Sequence, residues 1–81
     1  MKLSMIPAPG SIYYLDGFTK KTAKVIKRID SSLGREEFRI RIENVITITA
    51  ADEAGLFYAE NALEQIKFQC GMNLPNVYIH L

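Results

Sequence analysis

Apolar and polar residues alternate over two stretches in the middle of the chain. Phe38, Ile40 and Ile42 are interleaved with Arg39 and Arg41, and Ile46, Ile48 and Ala50 with Thr47 and Thr49. A period of two puts every second side chain on one face, so each stretch reads as a half-buried strand. Glu43-Asn44 lies between them, and Asn tolerates the positive φ of a tight turn. This predicts a β-hairpin, with a slightly longer turn that also takes in Val45 as the alternative. The period then changes. Leu56, Ala59, Leu63, Ile66 and Cys70 recur at steps of 3, 4, 3 and 4, and Ala62 widens that stripe. This is one face of a helix over 52–70. Asp52 suits its N-cap, Glu53 favours the positive end of the helix dipole, and Glu53, Glu60, Glu64 and Lys67 form a charged flank. Gly71 suits the left-handed position after the last turn, with Met72 as the accompanying apolar contact.

The flanks are less regular. Pro7 and Pro9 favour extended backbone at Ile6 and Ala8. A strand is expected at Ile12–Leu15, closed by a turn at Asp16-Gly17. Thr22–Ile29 is rich in β-branched residues and reads as a strand, although its mixed periodicity also fits a short helix. Asp30–Gly34 is a loop, and a last strand covers Val77–His80 after a loop through Pro75. The order β, β, β-hairpin, helix, β predicts an α+β domain: a mostly antiparallel sheet of about 4–5 strands with one long helix packed on one face. The helix between the hairpin and the last strand would let that strand run parallel to Ile46–Ala50.

Composition narrows the function. The 81 residues make one small domain; 48% are apolar and 23% charged, which suits a globular fold. Ten Lys/Arg against nine Asp/Glu give a net charge of +1, which disfavours a strongly cationic nucleic-acid binder. Eight of the ten basic residues nevertheless fall between positions 20 and 41: Lys20, Lys21, Lys24, Lys27, Arg28, Arg35, Arg39 and Arg41. If Arg39 and Arg41 share a face with Lys24 and Arg28, a cationic surface able to contact phosphates results. A solvated, edge-protecting face is the plainer reading, because Phe38 is the one ring in that stretch and points the other way. No apolar run is long enough to cross a membrane, and no signal peptide is seen, so a cytoplasmic location is expected.

Catalytic material is sparse. Cys70 cannot form an intrachain disulfide and lies on the apolar helix stripe, so it reads as a small core residue. One Cys and one His cannot build a Cys/His zinc site. His80 reads as a strand histidine at a sheet edge. Glu36-Glu37 and Asp52-Glu53 are neighbours on a loop and a helix start, whereas glycosidic cleavage needs two carboxyls held across a cleft. Gly34 and Gly55 are isolated, so no phosphate-binding loop forms. Catalytic, cofactor-binding and metal residues are therefore all expected to be absent.

The run ITITAADEAGLFYAENALEQI, residues 46–66, resembles the small N-terminal domain of family 20 glycoside hydrolases, the β-N-acetylhexosaminidases. The matching positions are Gly55, Phe57-Tyr58-Ala59 and Leu63-Glu64-Gln65-Ile66; Ala62 stands where the family usually has Thr. MIPAPGSIYYLDGFT is similar to the family's opening, LGREEFRIRI to the first hairpin strand, and LPNVYIHL to the strand leading toward the barrel. Physically, Gly55 in the first helical turn would let the helix approach the sheet with no Cβ in the way. Ala59 and Ala62 would do the same further along, and Gln65 can hydrogen-bond a loop or a neighbouring domain.

The resemblance implies a non-catalytic accessory domain, 1–81, that supports a (β/α)8 barrel which cleaves terminal N-acetylhexosamine residues. In the family that barrel carries an Asp-Glu pair, and no residue here matches it. The chain ends at Leu81, where the family continues into the barrel. The family's second helix has little room in residues 16–37. A free-standing protein-interaction module is the rival reading, and a nucleic-acid-binding domain using the basic 20–41 face is a third. On the helix, Phe57, Asn61, Glu64 and Phe68 follow at steps of 4, 3 and 4, roughly opposite the core stripe. These four are the candidate domain interface, facing the parent chain's barrel or, in its absence, a second copy.

Overall fold

The computed structural model describes residues 11–34 and 37–80. The Pro7–Pro9 segment, Arg35 and Glu36 lie outside the described residues. The elements are β1 (Ser11–Lys20), β2 (Val25–Ile29), β3 (Phe38–Glu43), β4 (Val45–Ala50), α1 (Glu53–Cys70) and β5 (Asn73–His80). The strands form one sheet in the order β1-β5-β3-β4-β2, antiparallel throughout except for the β2–β4 pair. One helix lies on one face, as the periodicity requires.

The hairpin closes on Asn44 alone, with φ 63 and with Glu43 opposite Val45. Register then builds two rows beneath the helix, apolar through β5, β3 and β4. One row is Ile12, Ile79, Ile40, Ile48 and Lys27; the next is Tyr14, Val77, Ile42, Ile46 and Val25. The isoleucines from β3, β4 and β5 are completely buried and meet Ala59, Ala62, Leu63 and Ile66 of α1. Leu56 and Cys70, expected on the centre of the stripe, are only partly buried at its margin, because the helix turns Gly55 and Ala62 into the core.

That rotation follows from the helix start. Asp52 is the N-cap, and its carboxylate accepts a hydrogen bond from the Gly55 N–H at 2.8 Å. The first turn is thereby held directly on the end of β4. A Cβ on Gly55 would come within 2.8 Å of the Ala50 Cβ. At the other end, Gly71 has φ 68 and donates its N–H to the Lys67 carbonyl. Met72 is exposed, and its carbonyl accepts from the Lys21 N–H.

Several boundaries differ from the sequence reading. Asp16-Gly17 is not the end of the first strand. Leu15–Gly17 bulge out opposite Asn76, with Gly17 at φ 92, and pairing resumes at Phe18↔Pro75. The Thr22–Ile29 segment is a strand from Val25 and contains no helical turn. The last strand begins at Asn73 and runs through Pro75. Pro75 is tolerated because β5 meets β3 only from Val77 onward, and because the bulge lies beside it. β5 runs in the same direction as β4 but with β3 between them; the parallel neighbour of β4 is β2.

Residues 21–24 carry the chain from β1 at one edge to β2 at the other, past the hairpin tip. A buried polar node holds this crossing. Thr19 Oγ1 donates to Asn76 Oδ1 at 2.6 Å and accepts from the Asn44 N–H at 3.0 Å, while Asn76 Nδ2 donates to the Asp16 carbonyl at 2.9 Å. The bulge, the last strand and the hairpin turn therefore share two side chains.

Three substitutions test this packing by urea denaturation. Gly55→Ala should destabilise the domain, because overpacking against Ala50 costs about 1–3 kcal/mol and exceeds the helix-propensity gain of at most about 1 kcal/mol. Leu63→Ala should cost about 2–5 kcal/mol; a loss below about 1 kcal/mol would mean that the helix is not docked through it. Thr19→Val leaves Asn76 Oδ1 and the Asn44 N–H without their partner and should cost about 1–3 kcal/mol.

Candidate functional site

The two faces of the molecule differ in chemistry. On the outer side of α1, Phe57 is 61% exposed and Phe68 is 91% exposed, with Asn61 and Glu64 exposed between them. The helical repeat predicted this stripe, and the docking of α1 through Gly55, Ala59 and Ile66 fixes it outward. Phe57 touches the neighbouring ring of Tyr58 edge-on, at 6.2 Å between centroids. A shallow depression bounded by Asn61, Glu64, Gln65 and Phe68 lies along the stripe. On the flank toward β2, Lys27 pairs with Glu60, and Lys67 lies 3.9 Å from Glu64.

The helix-free face of the sheet is polar. The same register that builds the apolar rows places Tyr13, Tyr78, Arg41, Thr47 and Ile26 in one row across five strands. Ser11, His80, Arg39, Thr49 and Arg28 form the next. Arg28, Arg39 and Arg41 thus share one face, as the alternation suggested. Lys24 precedes β2, and its carbonyl accepts from the Ile46 N–H. Arg41 Nη2 is bound to Glu43 Oε1 at 2.9 Å.

His80 is not at a sheet edge, because β5 lies between β1 and β3. Its Nε2 sits 3.2 Å from Glu37 Oε2. The Gly34 N–H bound to Glu37 holds that carboxylate below its ordinary pKa, with His80 adding to the effect. Asp30 is lowered in the same way by the Ser32 hydroxyl and backbone N–H. Burial pushes the Cys70 thiol up, away from nucleophilic chemistry. Among the described residues no cluster of His, Cys, Asp or Glu is arranged to hold a metal ion, and no helix is long and apolar enough to cross a membrane.

Against this geometry the family can be read. The model for glycosyl hydrolase family 20, domain 2, matches residues 7–80. The chain belongs to that family. Its domain 2 fold is similar to three solved enzymes. One is a β-N-acetylhexosaminidase from Bacteroides fragilis NCTC 9343, with a TM-score of 0.80 and 23% identity over 94% of this chain. A second β-N-acetylhexosaminidase matches at a TM-score of 0.80 with 16% identity over 98% of the chain. A family 20 β-N-acetylglucosaminidase matches at 0.79 with 27% identity over 94%. The family 20 domain spans 24%, 18% and 20% of those chains, respectively. No curated protein matches it.

The family motif is explained by packing in this fold. Gly55 is where the helix touches the sheet, and Ala59, Leu63 and Ile66 are core. Between β1 and β3 the described residues hold β2 and no helix, in keeping with the short spacing. What sequence reasoning missed is the pairing of His80 with Glu37. It joins residues 43 apart in sequence, and no local pattern signals it.

The Glu37 environment predicts an acid dependence. A carboxylate whose folded pKa lies below the ordinary 4.5 contributes stability above that pH, and the contribution is lost as pH falls through the folded value. Glu37→Gln should therefore flatten the acid limb of the melting temperature against pH. An unchanged limb would remove Glu37 from the account.

Proposed function

We propose that this family 20 domain is the non-catalytic accessory domain of a β-N-acetylhexosaminidase-like hydrolase, and that it docks on a catalytic (β/α)8 barrel through the outer face of α1. The parent enzyme would cleave terminal N-acetylhexosamine residues. The observation that carries the reading is the aligned exposure of Phe57 and Phe68 on a helix whose opposite side is fully packed. Scattered exposed apolar residues are ordinary on a surface, but two phenylalanines on one helical stripe form a contact patch. Asn61 and Glu64 between them supply the polar contacts of such an interface. The similar enzymes support this reading, because in each of them the domain is a small share of a longer chain.

The expected chemistry of the isolated chain is none: it should not release the aryl group from an aryl N-acetyl-β-glucosaminide at high protein concentration. Turnover that survives repurification and disappears in Glu36→Gln/Glu37→Gln would overturn the reading. Light scattering tests the interface. The wild-type chain should self-associate as concentration rises, and Phe57→Ser/Phe68→Ser should remain a monomer with an unchanged melting temperature. A double variant that unfolds would make this stripe part of the core instead. Coding sequence downstream of codon 81, or beside it, should encode a barrel with an adjacent Asp-Glu pair.

A further inference from the structure

We propose that the helix-free face of the sheet binds a sulfated oligosaccharide. The inference rests on the family 20 reading for the carbohydrate and on the geometry of this face for the sulfate. Arg28 on β2 and Arg39 and Arg41 on β3 surround Thr47 and Thr49 on β4, with Tyr78 of β5 closing a shallow cleft. Strands about 4.8 Å apart place the Arg28 position about 10 Å from Arg39, and Arg41 is one side-chain repeat, about 7 Å, along the same strand. The lining holds three cations and no carboxylate.

The counter-charges lie outside the cleft and are engaged. Glu43 is bound to Arg41. Asp30 accepts two bonds from Ser32, and Glu37 accepts from Gly34 and faces His80, although both carboxylates feel the charge of Arg39. Arg28 forms no ion pair among the described residues, and Arg39 Nε is buried there without a hydrogen-bond partner. Guanidiniums lining a cleft together with two threonine hydroxyls suit a group with several oxygens and a permanent charge. A sulfate ester has three free oxygens and stays ionised at every working pH, so it can accept from more than one guanidinium and from a hydroxyl at once.

The neighbouring surface suits a sugar chain. Tyr13 lies directly across from Tyr78 on the same face and is 63% exposed, so two rings extend the cleft toward the β1 edge. Flat aromatic rings accept the apolar face of a pyranose. A single-stranded nucleic acid would instead need rings interleaved with the cations to stack successive bases. Here the rings stand to one side and the net charge of the chain is +1.

Calorimetric titration of the 81-residue chain tests the proposal with four probes: a chondroitin sulfate hexasaccharide, the same hexasaccharide desulfated, a hyaluronan hexasaccharide, and a short poly(U) strand. The sulfated probe should bind and should weaken with added salt. Arg28→Gln and Arg39→Gln should each weaken it at least about tenfold, as loss of a charged hydrogen bond requires. Arg28→Lys should retain part of the affinity. Phe68→Ser, on the opposite face, should leave it unchanged, and a thermal melt of each variant establishes that it is folded. Because Arg28 lies on an edge strand, its variant keeps the test decisive if Arg39→Gln fails to fold. Equal binding of the desulfated or hyaluronan probe, tighter binding of poly(U), undiminished affinity in Arg28→Gln, or no binding at millimolar ligand would each overturn the proposal. Any of these could occur while the α1 face still docks on a barrel, so this failure is separable from failure of the accessory-domain reading.

Discussion

The helix can rest on this sheet only because Gly55 presents no side chain to Ala50. A Cβ at this position would stand 2.8 Å from the Ala50 methyl, closer than two carbons can approach. Two features then follow. The helix begins immediately after β4, capped by Asp52, so its axis is anchored at one end by the backbone and the cap bond. The near-glycine surface continues through Ala59 and Ala62, which keeps the helix low along its length and lets Leu63 and Ile66 reach the buried isoleucines.

Close docking on one side decides what the other side presents. A helix seated through small residues turns its large aromatics outward, and Phe57 and Phe68 are left as a stripe that the sheet cannot use. The sheet is likewise sorted by its pleat. Five strands in register send Ile40, Ile42, Ile46, Ile48, Val77 and Ile79 toward the helix and Arg28, Arg39, Arg41, Thr47, Thr49 and Tyr78 away from it. The molecule therefore has two chemically distinct outer surfaces, one aromatic and one cationic, separated by a single apolar layer.

The polar node at Thr19 and Asn76 has a different role. A four-residue passage from one edge of the sheet to the other leaves the bulge of β1, the proline-containing start of β5 and the Asn44 turn without a regular ladder. Thr19 and Asn76 supply hydrogen bonds to these irregular backbone groups in a buried setting, where leaving them unmade is costly.

Local chemistry was enough to determine the hairpin, the helix with its Asp52 cap, the docking role of Gly55 and the outward stripe of Phe57, Asn61, Glu64 and Phe68. Each of these depends on residues a few positions apart, and a period of 2 or 3.6 is written directly in such a stretch. The sequence also carried the family motif, because that motif is the helix-docking surface itself. Strand order could not be read this way. That β5 lies inside the sheet, that β2 pairs parallel with β4, and that β1 continues past Gly17 are all decided by pairings between distant segments. So is the convergence of Arg28 with Arg39 and Arg41. Their spacing in the chain only permits a shared face, and the register of three strands, fixed by burying the isoleucines of β3, β4 and β5 at once, makes it one.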